Sequence, residues 1–226
     1  MRNANGQRRV VQAHPYVAVD VVVFTIDGGE LKALVVKVQE GAAAGQWAFP
    51  GGLVRMDESL DDAARRELSA RTGLGGIYLE QLQSFGDPGR DAQARVVSTA
   101  YFALVAAKEM LGRSGKYADA EWFPVRRLPP LAYDHAAIGR AALDRLRAKL
   151  AYTNLVYGLL PPTFTLGELQ DIYERILGRS LDRRNFRKKI LASGLLRRLR
   201  TQRRGPHRPA ALYRFVQRRP MVVEMI

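Results

Sequence analysis

Residues 51–74 read GGLVRMDESLDDAARRELSARTGL, and they organise the first part of the chain. Ser59 is a good helix N-cap, Asp61 and Asp62 suit the positive end of a helix dipole, and Gly73 is a helix stop, so a helix is predicted over residues 59–72. This helix and the loop before it carry one spaced set: Gly52, Glu58, Arg66-Glu67-Leu68 and Gly73-Leu74. On the N-terminal side, YVAVDVVVFTI (16–26) is a β-branched run, DGGE (27–30) a turn with two glycines and LKALVVKV (31–38) a second strand-like run; together they predict a hairpin. GAAAG (41–45) reads as a loop. On the C-terminal side, IYLEQLQSF (77–85) and ARVVSTAYFALVAA (94–107) read as strands about the loop GDPGRD (86–91), and AEWFPVRRLPP (120–130) as a short strand ending in a proline-marked turn. The reading is a mixed α/β domain ending near residue 130.

The spaced set resembles the Nudix box: glycine, five residues, glutamate, seven residues, Arg-Glu-apolar, then a Glu-Glu pair before Gly-apolar. WAFPGG (47–52) is also typical of that family. The resemblance implies an α/β/α sandwich with a mixed sheet and a cleft that handles nucleoside diphosphates. It departs at the Glu-Glu pair, where this chain has Ala70 and Arg71. Nudix hydrolases attack phosphorus with water, and magnesium must screen the phosphates and activate that water. Magnesium takes hard oxygen ligands, which one helix face supplies from positions i, i+3 and i+4. Here those positions are Glu67, Ala70 and Arg71, so one carboxylate of three remains and a cation stands at the third. Glu58 and Arg66, in this family, brace the loop against the helix, and Asp57, Asp61 and Asp62 read as a solvated helix start. Hydrolysis is therefore expected to be lost, with no metal site and no catalytic residue, while the pocket persists. Arg71 is read either as a partial replacement for the metal's charge against a pyrophosphate or as a solvent-facing side chain.

FGDPGRDAQARVVSTAYFALV (85–105) resembles the matching segment of ADP-ribose-handling Nudix proteins and their regulatory relatives. Candidate ligand contacts are Trp47, Arg55, Glu67, Arg71, Phe85, Arg90 and Arg95. The arginines offer planar forks for phosphate, and Trp47, Phe85 or Phe49 offer rings for adenine. Each aromatic is also a candidate core residue, and Arg95 a candidate partner for an acid of its own domain.

Net charge is uneven. Residues 151–226 hold 16 Lys and Arg against 5 Asp and Glu, whereas residues 1–150 hold 20 against 17. That asymmetry marks a polyanion-binding segment. From Asp134, a candidate N-cap, HAAIGRAALDRLRAKLAYTNLVYGLL reads as one helix ended by Pro161-Pro162. Thr165 to Glu168 form a capping box that opens a helix to Leu177, and Gly178 closes it. Ser180 or Asp182 caps the next helix, DRRNFRKKILAS, before LLRRLRTQ and ALYRFV form a hairpin around a basic loop. Helix, helix, helix, hairpin is the order of a winged helix-turn-helix. Phe186 and Ile190 anchor the inner side of the last helix, leaving Arg183, Arg184, Asn185, Arg187 and Lys188 for the major groove. Wing residues Arg203, Arg204, His207 and Arg208 are candidates for phosphate or minor-groove contact, and Thr165 for a phosphate at a helix N-terminus.

PPTFTLGELQDIYERILGRSLDRRNFRKKILASGLL (161–196), together with Tyr133-Asp134-His135 and the degenerate box, is similar to the NrtR group, Nudix-related transcriptional regulators of NAD metabolism. The resemblance implies an effector-binding domain over 1–133, a linking helix over 134–151 and a DNA-binding winged helix over 152–226. It also implies a homodimer on a palindromic operator, repression of NAD synthesis or salvage genes, and ADP-ribose or a related nucleotide as effector with no other cofactor. Related Nudix–winged-helix regulators act on sugar catabolism instead. An active ADP-ribose pyrophosphatase and a constitutive DNA-binding protein remain rival readings. With no secretory signal, no cysteine and no apolar run long enough to span a bilayer, a soluble cytoplasmic protein is expected.

Overall fold

The computed structural model describes residues 14–107, 119–203 and 209–222. The hairpin forms as read: β1 (Tyr16–Asp27) pairs antiparallel with β2 (Glu30–Lys37), and Gly28 and Gly29 take the positive φ that a two-residue turn of this hand requires. A two-stranded unit cannot bury a run such as Val19–Phe24 on both faces, so more strands and two helical layers must cover it. They do. β3 (Trp47–Ala48), β4 (Gly51–Leu53), β5 (Glu80–Phe85), β6 (Val96–Leu104) and β7 (Ala120–Pro124) complete a seven-stranded mixed sheet. Its main path runs β3-β2-β1-β6-β5, with β4 added to β1 and β7 to β2. The β1–β6 pair is parallel and the other pairs are antiparallel.

The period-2 alternation of β1 assigns its faces. Val19, Val21 and Val23 pack with Ala63, Ala64 and Leu68 of α1 (Leu60–Thr72), whereas Val22 and Phe24 pack with Ile138, Ala142 and Leu146 of α2 (His135–Lys149). The Ser59 hydroxyl accepts from the Asp62 N–H at the start of α1, and Gly73, at φ 66°, ends it.

The long helix read from Asp134 to Leu160 is two pieces. α2 stops at Lys149, and Leu155–Gly158 is a separate 3-10 turn. The cause is local side-chain competition for the backbone. The Thr153 hydroxyl donates to the Lys149 carbonyl (2.8 Å), and the buried Asn154 amide donates to the carbonyls of Gln217 and Arg219 while accepting from the Met221 N–H. The segment from Gln217 to Met221 is thus pinned where the helix would have continued. Asp134 is also not a side-chain cap: its carboxylate is engaged by Arg90 instead.

The C-terminal unit follows the sequence reading closely. α3 (Leu166–Leu177) carries the full Thr165–Glu168 capping box and ends at Gly178, α4 (Arg183–Ala192) is capped by Asp182, and β8 (Leu196–Arg203) pairs antiparallel with β9 (Ala210–Phe215). Phe164 adds a third rung, exchanging both backbone hydrogen bonds with Tyr213 (3.0 and 2.8 Å). One hydrophobic cluster runs from the sheet through Ile138, Ala142 and Leu146 to Phe164, Leu169, Ile176, Ile190 and Phe215. Arg147 of α2 donates to the Ile176 carbonyl at the end of α3 (3.1 Å). α2 is therefore common to the sheet and to the C-terminal unit.

Tyr173, buried beside Phe186, has a hydroxyl with no hydrogen-bond partner among the described residues. Burial without a partner costs a hydroxyl about 1–3 kcal/mol. Tyr173→Phe is expected to be neutral to stabilising by about 1 kcal/mol in denaturant unfolding; a loss of stability would contradict this packing.

Candidate functional site: a nucleotide cleft and a basic helix

A cleft of 800 Å³ opens over the edges of β1, β2, β4 and β6 and the start of α2. Gly51 and Gly52 form one wall. A methyl group at Gly52 would collide with the Glu67 carboxylate, so glycine there lets the helix carboxylate reach the cleft. Arg71, its side chain 39% exposed, lines the same wall. Glu67 is not free: one oxygen contacts Arg66, and the other faces Arg71 at 3.9 Å. Arg66 also grips Glu58 and donates to the Leu53 carbonyl, which fastens the loop to α1 as the resemblance implied. The Arg66 hydrogen bond holds the Glu58 carboxyl down to about 2.

The Nudix family implies magnesium at this helix face, and the donor set does not fit it. The one remaining carboxylate lies between two guanidinium groups, and among the described residues no group of three or more His, Cys, Asp or Glu side chains is placed to hold an ion.

Of the ligand candidates, Arg71 and Arg90 line the cleft, and Glu67 touches its Gly52 wall. Four others lie off it. Trp47 packs edge-on against Phe123, with the Lys37 ammonium 4.0 Å above its ring. Phe85 packs in the core. Arg55 stands in the exposed loop, where its N–H donates to Glu58, and Arg95 folds back on the Val96 carbonyl. Phe49, also considered for stacking, is 2% exposed and forms the floor, its ring stacked on His135 at 5.7 Å. The aromatic rings that do face the cleft with exposed surface are Tyr16 and Tyr133.

Arg90 is not an open phosphate fork. Its side chain is 4% exposed and is held in two-point fashion by Asp134 (3.0 and 2.8 Å), with Asp20 at 3.3 Å. Asp20 also accepts from the Ser98 hydroxyl (2.5 Å) and faces His135 Nε2 (3.3 Å). Because His135 Nδ1 accepts the Phe49 N–H (2.9 Å), the ring proton belongs on Nε2, directed at Asp20. Burial pushes the Asp20 carboxyl up, and His135, Ser98 and Arg90 outweigh it, leaving it below the usual carboxylate range. The signal for this network was Asp20 itself: an acid inside a β-branched run, buried on both faces, requires a cation.

The second candidate site is the α4 face. Phe186 and Ile190 turn inward, and Arg183, Arg184, Asn185, Arg187 and Lys188 are all exposed, with no ion pair to any of these cations among the described residues. Arg197, Arg198 and Arg200 extend the basic surface along β8. Arg203 instead pairs with Glu168 (2.5 Å). The Thr165 hydroxyl accepts the Glu168 N–H, and the Glu168 carboxylate accepts the Thr165 N–H, so the capping box occupies those two groups. Arg204, His207 and Arg208 lie outside the described residues.

Comparison with known proteins joins the two sites. The NUDIX domain model matches residues 14–146, and the NrtR DNA-binding winged helix domain model matches residues 156–215. The chain is 37% identical to the ADPR responsive transcriptional repressor NtrR of Acinetobacter baylyi, over 89% of this chain and 82% of that protein. The chain belongs to the NrtR family. Its fold matches the crystal structure of Shewanella oneidensis NrtR complexed with a 27mer DNA, with a TM-score of 0.80 and 32% identity over 88% of this chain and 93% of that one. The NUDIX part alone is 33% identical to an ADP-ribose pyrophosphatase of Methanocaldococcus jannaschii, over 55% of this chain and 71% of that protein.

Proposed function

We propose that this NrtR-family chain is a transcriptional repressor that releases DNA when ADP-ribose or a related nucleotide fills its NUDIX cleft, and that its targets are genes of NAD synthesis or salvage. The observation that carries this is the helix face on which Glu67 is flanked by Arg66 and Arg71 beside an open cleft that Arg71 lines. Such a site attracts a diphosphate and lacks the carboxylates that would cut it. The division into an effector domain (1–133), a linking helix (134–151) and a winged helix (152–226) follows from this reading. So does a homodimer, whose two α4 helices would stand roughly 34 Å apart on a palindromic site. Among the described residues no helix is long and apolar enough to cross a membrane; work on DNA in the cytoplasm is part of the same proposal.

The pyrophosphatase reading is kept in play by the relative of that activity. Calorimetric titration of ADP-ribose in the presence of magnesium separates the two. A saturating isotherm with no continuing heat is expected. Sustained heat after each injection would make the chain an enzyme.

Arg71 is assigned the charge that the missing metal would supply. Arg71→Ala is expected to weaken ADP-ribose binding about tenfold, the effect of losing one charge-assisted hydrogen bond of about 1.5 kcal/mol. Unchanged affinity in the same titration would return Arg71 to the solvent.

A further inference from the structure

Three buried contacts bind the cleft floor to the first turn of α2. Arg90 holds Asp134 at two points. His135 bridges Asp20 and the Phe49 N–H. Gly139 lies over the Phe49 ring, where an added methyl would sit 3.0 Å from Cζ. The residue just before α2, Tyr133, is the non-glycine residue with positive φ (54°) among the described residues, and its ring lines the cleft. At its other end α2 holds the winged helix, through Arg147 on the Ile176 carbonyl and through Leu146 in the shared core.

Asp134 has two possible partners and uses one. It stands at the N-cap of α2, where a carboxylate ordinarily accepts the N–H of the second or third helical residue; here it makes no such bond, its backbone carbonyl accepts the Ala137 N–H (2.8 Å), and both carboxylate oxygens are engaged by Arg90. Arg90 in turn lines the cleft, where a diphosphate would offer a second acceptor for its fork.

Resting on the function proposed above, we propose that Arg90 and Asp134 form a two-position latch that carries ligand occupancy to the DNA-binding unit. In one position Arg90 is paired with Asp134 and α2 is held as seen here. With ligand, Arg90 turns its fork to the phosphates, Asp134 is released to cap α2, and the first turn of the helix re-sets about Tyr133. Because α2 is shared with the winged helix, that change moves α3 and α4 relative to the sheet. Asp134 acts here as a positioning residue, since it touches neither ligand nor DNA.

The test compares wild type, Asp134→Asn and Asp134→Ser by anisotropy on duplex DNA from the protein's own regulatory region, with and without ADP-ribose, together with ADP-ribose calorimetry. Serine is itself a strong N-cap that cannot pair with Arg90, so it keeps α2 stable should asparagine disturb folding. Wild type is expected to lose DNA affinity on the order of tens-fold with ADP-ribose, within the usual range for coupled sites. Both variants are expected to bind DNA weakly without ligand, to bind ADP-ribose about threefold or more tightly, and to show a DNA response to ligand within about twofold of none. Asp171→Asn, which removes an equivalent charge from an exposed pair with Arg175, is expected to respond as wild type does. If wild type responds and both Asp134 variants respond equally well, the latch is wrong and the function stands. If wild type binds DNA but does not respond to ADP-ribose, the function fails and the latch with it.

Discussion

Replacing Arg183, Arg184 and Arg187 together by alanine is expected to weaken binding to the protein's own regulatory DNA by a thousandfold or more at physiological salt while leaving the fold intact. All three side chains are exposed on α4, and the inward anchors Phe186 and Ile190 are untouched, so the helix loses little but charge. An arginine that reads a guanine contributes about 1–3 kcal/mol, and three of them at the lower bound already give more than a hundredfold per recognition helix. Lys188→Ala should behave differently: it weakens binding to all sequences alike and lowers the salt slope by about one per helix. Anisotropy across a salt series, with thermal melting as a check on folding, separates the two effects. Near-wild-type binding by the triple variant would remove α4 from the interface.

Phe164→Ala is expected to cost about 3–5 kcal/mol in denaturant unfolding, the range for truncating a buried phenylalanine. Phe164 is fully buried, its ring centroid is 5.0 Å from that of Phe215, and its backbone supplies the rung that joins the wing to α3. Its cluster is continuous with α2 and the sheet, so the loss should appear in the main transition instead of as a separate melting of the wing. A cost under about 1 kcal/mol would mean that the site collapses around the gap, and the single core described here would not hold.

The elements legible in the sequence are those whose residues have one physical use. Gly28-Gly29 can only turn the hairpin, Thr165 and Glu168 are placed to cap each other, and Phe186 and Ile190 leave α4 a single inner face; each behaves so in the structure. The misreadings fall on residues with two uses. Asp134 is a good N-cap type and also a carboxylate, and a buried arginine 44 positions earlier takes the carboxylate. Thr153 and Asn154 are tolerable in a helix, but Thr153 bonds back to the Lys149 carbonyl, a chain segment more than 60 residues later supplies Asn154 with carbonyl groups, and the helix ends. Trp47 begins β3 and Phe49 lies just past its end, and nothing local says which ring turns to the cleft. The ligand pocket was the least legible part for this reason: its floor, Asp20, Arg90 and His135, comes from three separated segments that meet only across the sheet. The degenerate box was readable because its defect is itself local, two substitutions on one helix face.

The central claim is that occupancy of the NUDIX cleft controls the winged helix. The most direct test is anisotropy of the protein bound to labelled duplex from its own regulatory region at physiological salt, titrated with ADP-ribose. A saturable fall in bound DNA at constant protein is the result this structure predicts. Unchanged DNA binding at ADP-ribose concentrations that saturate the cleft by calorimetry would contradict it, and the chain would be a DNA-binding protein whose NUDIX domain does not control its affinity for DNA.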